Sequence, residues 1–387
     1  MSIELINQPI VWVDNNEQLE ELCDKWLDEP ILAVDTEFMR SQTYYPIAGL
    51  IQLNDGKANY LIDPQAITDF FPLVDVFDNK GCLIFLHSCS EDLEVFQHTL
   101  GCIPHRIIDT QIACALSGYG FSVGYANAIH TALGIDLPKG ETRSDWLKRP
   151  LSQAQLAYAA LDVEYLYTLA LKLKAGLEEA NRWQWLLADC DELTDNYRAN
   201  QMPELTYLRV KMAWRLNDRQ LAILKTLCEW RETKAQVRDV PRNRIIKEHA
   251  LMEIAKRQPT HLSQLRNIEG VAERMINSDG STWLELVEVA VSLPKEALPQ
   301  VLPQPLTSGQ NKILKRLRQA VEQVAEKNGV PVELIVKKKN YEAMVRRLCS
   351  RKTVDLSEHL NGWRLTLVSE ALNAQFHAID IHSLEAK

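Results

Sequence analysis

"ILAVDTEFMR", residues 31–40, runs from four apolar residues into an acid, a threonine and a second acid. A short unbroken apolar run suits a strand covered on both faces. Side chains alternate along a strand, so Asp35 and Glu37 leave the same face with their Cα atoms roughly 6.5 Å apart. Two carboxylates aimed into one space repel unless a cation or a proton sits between them. Such a strand end is either a solvated tip or one side of a cation site. The second reading needs further acids converging on the same point.

The 387 residues that surround this stretch are long for one domain and suit two or three. With 46% hydrophobic and 25% charged residues, the chain has the apolar material for a sizeable core. The opening "MSIELINQPIVWVDNNEQLEEL" has neither a basic leader nor a long apolar run, so no signal peptide is expected. No stretch approaches the ~18 uninterrupted apolar residues of a membrane span. Eight cysteines are scattered without a C-x-x-C pair, which argues against zinc and for a reducing, cytoplasmic setting. The net charge of -9 speaks against a surface that grips nucleic acid everywhere, and leaves local basic patches open.

The first half alternates strand-like and helix-like signals. "GLIQLNDGKANYLID" pairs two β-rich runs through Asn54-Asp55-Gly56, a hairpin turn. "CLIFLHS" (82–88) is a further apolar run, followed by an amphipathic stretch from Ser90 to Leu100 that stops at Gly101. "RIIDTQIACALSG" reads as strand passing into helix. The pattern predicts an α/β domain with a mixed sheet. From about residue 205 the sequence turns nearly all helical, and Pro294, Pro299, Pro303 and Pro305 mark a stiff linker. Three segments follow: 1–205, expected to fold alone, then helical domains over 206–293 and 306–387. The last two resemble each other at an offset of 90, with Val240-Pro241 matching Val330-Pro331 and Lys247 matching Lys337.

Further acids do appear. "HSCSEDLEVF" puts Asp92 in the first turn of a helix, where the helix dipole favours an acid and Ser90 could serve as cap. "PLSQAQLAYAALDVEYLYTLALKLK" opens on a Ser152–Gln155 capping box. Leu156, Ala160, Val163, Tyr167 and Ala170 define its buried stripe. Tyr158 and Asp162 stand four apart on a neighbouring face, one helical turn or ~6 Å along the axis. Each feature alone has an ordinary structural explanation.

Together, D-T-E-F, then H-x-x-x-x-D opening a helix, then Y-x-x-x-D on a later helix, resemble the three motifs of the DEDDy exonuclease superfamily. "DTEFMRSQTYYPIAGLIQL" and "HSCSEDLEVF" are similar to its ribonuclease D branch, and the helical repeats resemble HRDC (helicase and RNase D C-terminal) domains. The order and length agree along essentially the whole chain. One departure is Ser88, where many relatives carry Asn directly after the motif histidine.

This resemblance implies a ribonuclease H-like α/β exonuclease domain followed by two small all-α HRDC-like domains. It implies two divalent ions, Mg²⁺ or Mn²⁺, held by Asp35, Glu37, Asp92 and Asp162. Hard cations of this kind take oxygen ligands, and two of them can activate water and stabilise the leaving oxygen of a phosphodiester. Asp35 would bridge both ions, Glu37 and Asp162 would serve the one that carries the water, and Asp92 the other. Tyr158 would orient that water, since a tyrosine pKa near 10 makes a poor base at neutral pH. Phe38 is a candidate for stacking on a terminal base, and His87 a candidate substrate contact. A basic run that includes Lys337, Lys338 and Lys339 is either a solvated helix face or a track for the RNA backbone. The activity implied is 3′–5′ trimming of structured RNAs, tRNA precursors above all, with release of nucleoside 5′-monophosphates and no obligate protein partner. A DNA-directed exonuclease would carry the same motifs, because only a contact to the 2′-hydroxyl tells RNA from DNA. A catalytically silent nucleic-acid-binding scaffold is opposed by the presence of all five motif residues.

Overall fold

A computed structural model describes residues 5–138, 140–141, 144–350 and 353–379. It forms two compact units, one made of Met1–Met39, Ala48–Thr194 and Leu306–Lys387, the other of Arg40–Ile47 and Asp195–Pro305. Among the described residues no helix is long and apolar enough to cross a membrane.

The first unit is built on a mixed sheet of β1 (Ile10–Val13), β2 (Ile31–Met39), β3 (Ile47–Asn54), β4 (Asn59–Ile62), β5 (Leu83–Leu86) and β6 (Ile107–Asp109). Its spatial order is β1-β4-β3-β2-β5-β6. β1 runs parallel to β4, and β5 parallel to both β2 and β6, while β3 and β4 form an antiparallel hairpin. The hairpin follows from its turn residues. Gly56 takes the left-handed φ of 85°, Asn54 Oδ1 accepts its N–H at 2.7 Å, and Asp55 Oδ1 accepts that of Lys57 at 2.9 Å. The apolar runs are buried on both faces as read: Leu32, Ala33 and Val34 are inaccessible, as are Phe85 and Leu86.

Seven helices accompany the sheet: α1 (Asn16–Trp26), α2 (Phe71–Asp78), α3 (Ser90–Thr99), α4 (Thr110–Leu116), α5 (Tyr125–Leu133), α6 (Gln153–Glu179) and α7 (Trp183–Asn200), whose last turn passes into the second unit. The capping box of α6 is present, with Ser152 Oγ accepting from the N–H of Gln155 and the Gln155 side chain from that of Ser152. Ser90, by contrast, is the first helical residue of α3; Cys89 occupies the cap and makes no side-chain bond there. The stripe expected on α6 was too narrow. Ala157, Ala159, Leu161 and Leu166 are buried too, whereas Leu156 and Tyr167 are partly exposed. α6 packs on β2, β4 and β5 and also against α4 and α5, so most of its circumference is core.

The second unit contains α8 (Asp218–Val237), α9 (Arg242–Ile245), α10 (Glu248–Arg257), α11 (Leu262–Leu265) and α12 (Glu273–Ser292); the C-terminal segment adds α13 (Ser308–Asn328), α14 (Val332–Ile335), α15 (Lys338–Cys349) and α16 (Gly362–Ala378). The duplication is plain in the helix order. Capping boxes Asn217–Gln220 and Thr307–Gln310 open α8 and α13, Pro241 and Pro331 precede α9 and α14, and Lys247 and Lys337 precede α10 and α15.

The two copies have different surroundings. The C-terminal copy shares one apolar core with the sheet unit, in which Leu186 and Cys190 of α7 join Ile313, Leu317 and Leu372. Trp185 stacks on Trp363 at 4.6 Å. Asp189, 4% exposed, accepts both Arg364 Nη atoms at 2.5 and 2.8 Å and Trp363 Nε1 at 3.1 Å. Residues 1–205 therefore share part of their apolar core with the C-terminal copy. The first copy instead takes up loop 40–47. Tyr44 is buried there, with its hydroxyl bonded to Glu232, which Arg242 grips through Nε at 2.6 Å and Nη2 at 2.5 Å. Asp239 Oδ1 accepts the N–H groups of Tyr44 and Tyr45 at 2.9 and 3.0 Å.

Candidate active site

Asp35 and Glu37 leave β2 toward α6, where they meet Asp162. One carboxylate oxygen from each lies within 4.8 Å of the other two. Thr36 points to the other side of the strand, is buried, and donates its hydroxyl to Asp92 Oδ1 at 2.5 Å. Asp92 is thus brought beside the triad from α3 rather than into it. Thr36 is a site residue that the sequence reading passed over; its alternation between two acids was the available signal.

Burial, and then the neighbours' charge, makes these acids hard to ionise. Asp35 is raised well above the carboxylate range by burial and by Asp162. Glu37 is pushed up to about 9 by burial, Asp35, Asp162 and Asp92. Burial raises Asp162 to about 7 against the bond from Tyr158. Asp92 is raised by burial and Asp35 against the bond from Thr36. Asp35, Glu37 and Asp162 form an acidic cluster that could hold a metal ion, because carboxylate oxygens suit a hard cation whose charge would favour their ionised forms.

Tyr158 lies one turn before Asp162. Burial and the charges of Asp162, Glu37 and Asp35 drive its pKa far above the tyrosine range, so its hydroxyl stays protonated and bonds the Asp162 carboxylate. Asp162 is also held from behind. The Tyr125 hydroxyl of α5 donates to the backbone carbonyls of Asp162 and Leu161 at 2.6 and 3.1 Å, a contact over 37 residues with no local signal in the sequence.

The turn into α3 is fixed by Asp109, whose carboxylate accepts the N–H groups of Ser88 and Cys89, both at 3.0 Å. Ser88 has a left-handed φ of 60°, a conformation that Asn tolerates better than Ser. Both nitrogens of His87 are engaged inside the protein, Nδ1 with Thr110 Oγ1 at 2.8 Å and Nε2 with the Val123 carbonyl at 2.9 Å. A carbonyl requires the hydrogen on Nε2, and burial lowers the pKa of this ring. His87 is a neutral buttress, packed edge-on to Tyr125 at 5.6 Å, with no ring nitrogen left for substrate. Phe38 is partly buried, and the strand alternation sets it on the face of Thr36.

A family model for the 3′-5′ exonuclease domain matches residues 10–178, and one for the HRDC domain matches residues 220–287. Ribonuclease D of Pseudomonas paraeruginosa is 40% identical over 363 residues, covering 94% of this chain and 96% of that one. Ribonuclease D of Escherichia coli K12 is 37% identical, covering 93% of this chain and 96% of its own. The chain belongs to the ribonuclease D family. The crystal structure of Escherichia coli RNase D, an exoribonuclease involved in structured RNA processing, superposes with a TM-score of 0.84 at 35% identity, over 96% of this chain and 99% of that one. The chain is a 3′–5′ exoribonuclease, and its α/β exonuclease fold followed by HRDC helices is as the sequence implied.

Lys337, Lys338 and Lys339 are not equivalent. Lys337 pairs with Glu192 of α7 at 2.5 Å. Lys338, 83% exposed, stands 3.9 Å from Glu342, a weak surface contact. Lys339 is exposed and lines a cleft of about 220 Å³ with Lys337, Asn340, His359 and Arg364.

Proposed function

We propose that this enzyme trims the 3′ ends of structured RNAs, tRNA precursors among them, and releases nucleoside 5′-monophosphates. The observation that carries the reading is the convergence of Asp35, Glu37 and Asp162 within 4.8 Å, with Asp92 tied to the same strand through Thr36. These four acids would hold two divalent ions, Mg²⁺ or Mn²⁺. When bound, such ions supply acidity to water and positive charge to the phosphate.

The chain's own side chains do the rest. Asp35 is acted on by Asp162 and itself acts on Asp92 and Glu37, so it is the acid that would serve both ions. Tyr158, kept protonated, cannot act as a base. Its hydroxyl orients the attacking water beside Asp162. Phe38 offers a partly exposed ring to the terminal base, and Lys338 and Lys339 contact the RNA backbone further along. The enzyme works in the cytoplasm, where its eight free cysteines stay reduced.

The test incubates 5′-labelled RNA and DNA oligomers of one sequence with the protein and Mg²⁺, alongside RNA with a blocked 3′ end. Stepwise shortening of unblocked RNA alone supports the reading. Equal shortening of DNA makes it a general exonuclease. Internal cuts, or shortening of the blocked strand, refute it.

A further inference from the structure

Between α5 and α6 the chain meets Tyr158 at two described points. One is Trp146, 1% exposed, whose ring lies 6.1 Å from that of Tyr158 at a tilt of 41°. Trp146 is itself seated on Gly49, where a Cβ would fall 2.7 Å from its own Cβ. The other point is Gly140. A Cβ there would fall 1.8 Å from Tyr158 Cε2, 2.5 Å from Cδ2 and 2.8 Å from Cζ. What Gly140 cannot take is volume on the side of the tyrosine ring.

We propose that Gly140 is a positioning residue for Tyr158, its bare backbone closing on the ring edge and holding the hydroxyl toward Asp162. The ring is then caught between a fixed tryptophan and a chain segment that fits only without a side chain. A methyl group at 140 must either turn the ring, which withdraws the hydroxyl from Asp162, or push the segment away, which frees the ring to move. Either outcome degrades the same step. Misplacement of a catalytic group by about 1 Å can cost ~100-fold in rate, and here the loss is bounded by what removing the hydroxyl costs. The inference rests on Tyr158 being the water-orienting group.

The experiment measures kcat and KM on a short RNA oligomer with Mg²⁺ for the parent, Gly140→Ala, Tyr158→Phe and the double variant. A second readout on metal-free protein is the ¹⁹F resonance of 3-fluorotyrosine placed at position 158. Expected for Gly140→Ala are a kcat loss of about 10-fold or more, little change in KM or melting temperature, and a shifted ¹⁹F resonance. In the Tyr158→Phe background the same substitution should cost nothing further. Normal kcat for Gly140→Ala beside a slow Tyr158→Phe overturns the positioning role alone, as does an equal loss in both backgrounds or an unmoved resonance. A fully active Tyr158→Phe overturns the role of the tyrosine and the clamp with it.

Discussion

Replacing Asp189 with alanine strands Arg364. Arg364 is 7% exposed; its guanidinium loses both carboxylate bonds and keeps its Nε bond to the Leu334 carbonyl at 2.9 Å and its place 4.5 Å over the Trp363 ring, while Trp363 Nε1 loses its acceptor. Breaking a buried pair by removing one partner costs about 3–5 kcal/mol. Glu192, 3.8 Å from Arg364 Nη1, can take over part of the charge, which sets the expectation at about 3 kcal/mol, the low end of that range. At about 2–4 °C per kcal/mol for a unit of this size, the melting temperature should fall by roughly 6–12 °C. The pair as a whole is a different matter. Burial outweighs Arg364 and raises the Asp189 pKa. An acid raised on folding gives its full stabilisation below its unfolded pKa of about 4 and loses it as the pH climbs through the folded value. At neutral pH the pair therefore contributes little net stability, and Asp189→Leu with Arg364→Met should recover most of the loss. Thermal and urea unfolding at pH 7, followed by near-UV circular dichroism, compare the three proteins. A single variant melting within about 1 °C of the parent, against the drop expected from a broken buried pair, would refute the argument.

Asp35→Ala should lower Mg²⁺-dependent turnover by a factor on the order of 10³ while circular dichroism shows an intact fold, and near-normal turnover would remove Asp35 from the metal site. Tyr158→Phe should lower kcat about 10- to 100-fold with RNA affinity unchanged; a pure affinity defect would move the tyrosine out of the chemical step. Lys338→Gln with Lys339→Gln should flatten the slope of log K for RNA against log salt by up to ~1.4, at about 0.7 per phosphate contact. Adding Lys337→Gln should change it little, because Glu192 already pairs with that lysine, and equal slopes for all variants would leave the run a solvated face. Ser88→Asn should raise the unfolding free energy by about 0.5 kcal/mol through its left-handed backbone, read as a urea midpoint shift; a lowered midpoint would mean that the serine side chain is needed where it stands.

What could be read from the sequence was local or periodic. The apolar run into Asp35 and Glu37, the Asn54-Asp55-Gly56 turn and the Ser152–Gln155 box declare themselves within a few residues, and the V-P repeat within one comparison. The contacts that set the site are not local. Thr36 reaches Asp92 across 56 residues, and His87, one candidate for a substrate contact, bonds the Val123 carbonyl across 36 as a buttress. Periodicity also misjudged α6, because a helix covered on most sides has no single stripe to find. The destination of loop 40–47 was hidden for a further reason. "RSQTYYPI" reads as an ordinary connection, and only the buried Tyr44 and its Glu232–Arg242 partners show that it belongs to a helical core.

The first unit is assembled from three separate lengths of chain, and its core depends on the last of them. In effect Leu306–Lys387 is a subunit that happens to be covalently attached. The residues between Asp195 and Pro305 act as its tether, and a tether's contribution is effective concentration. A single nick among the linker prolines would leave a two-chain enzyme held by that core. The same cut with dilution would lose the attachment, and with it the α7 partners Trp363 and Arg364.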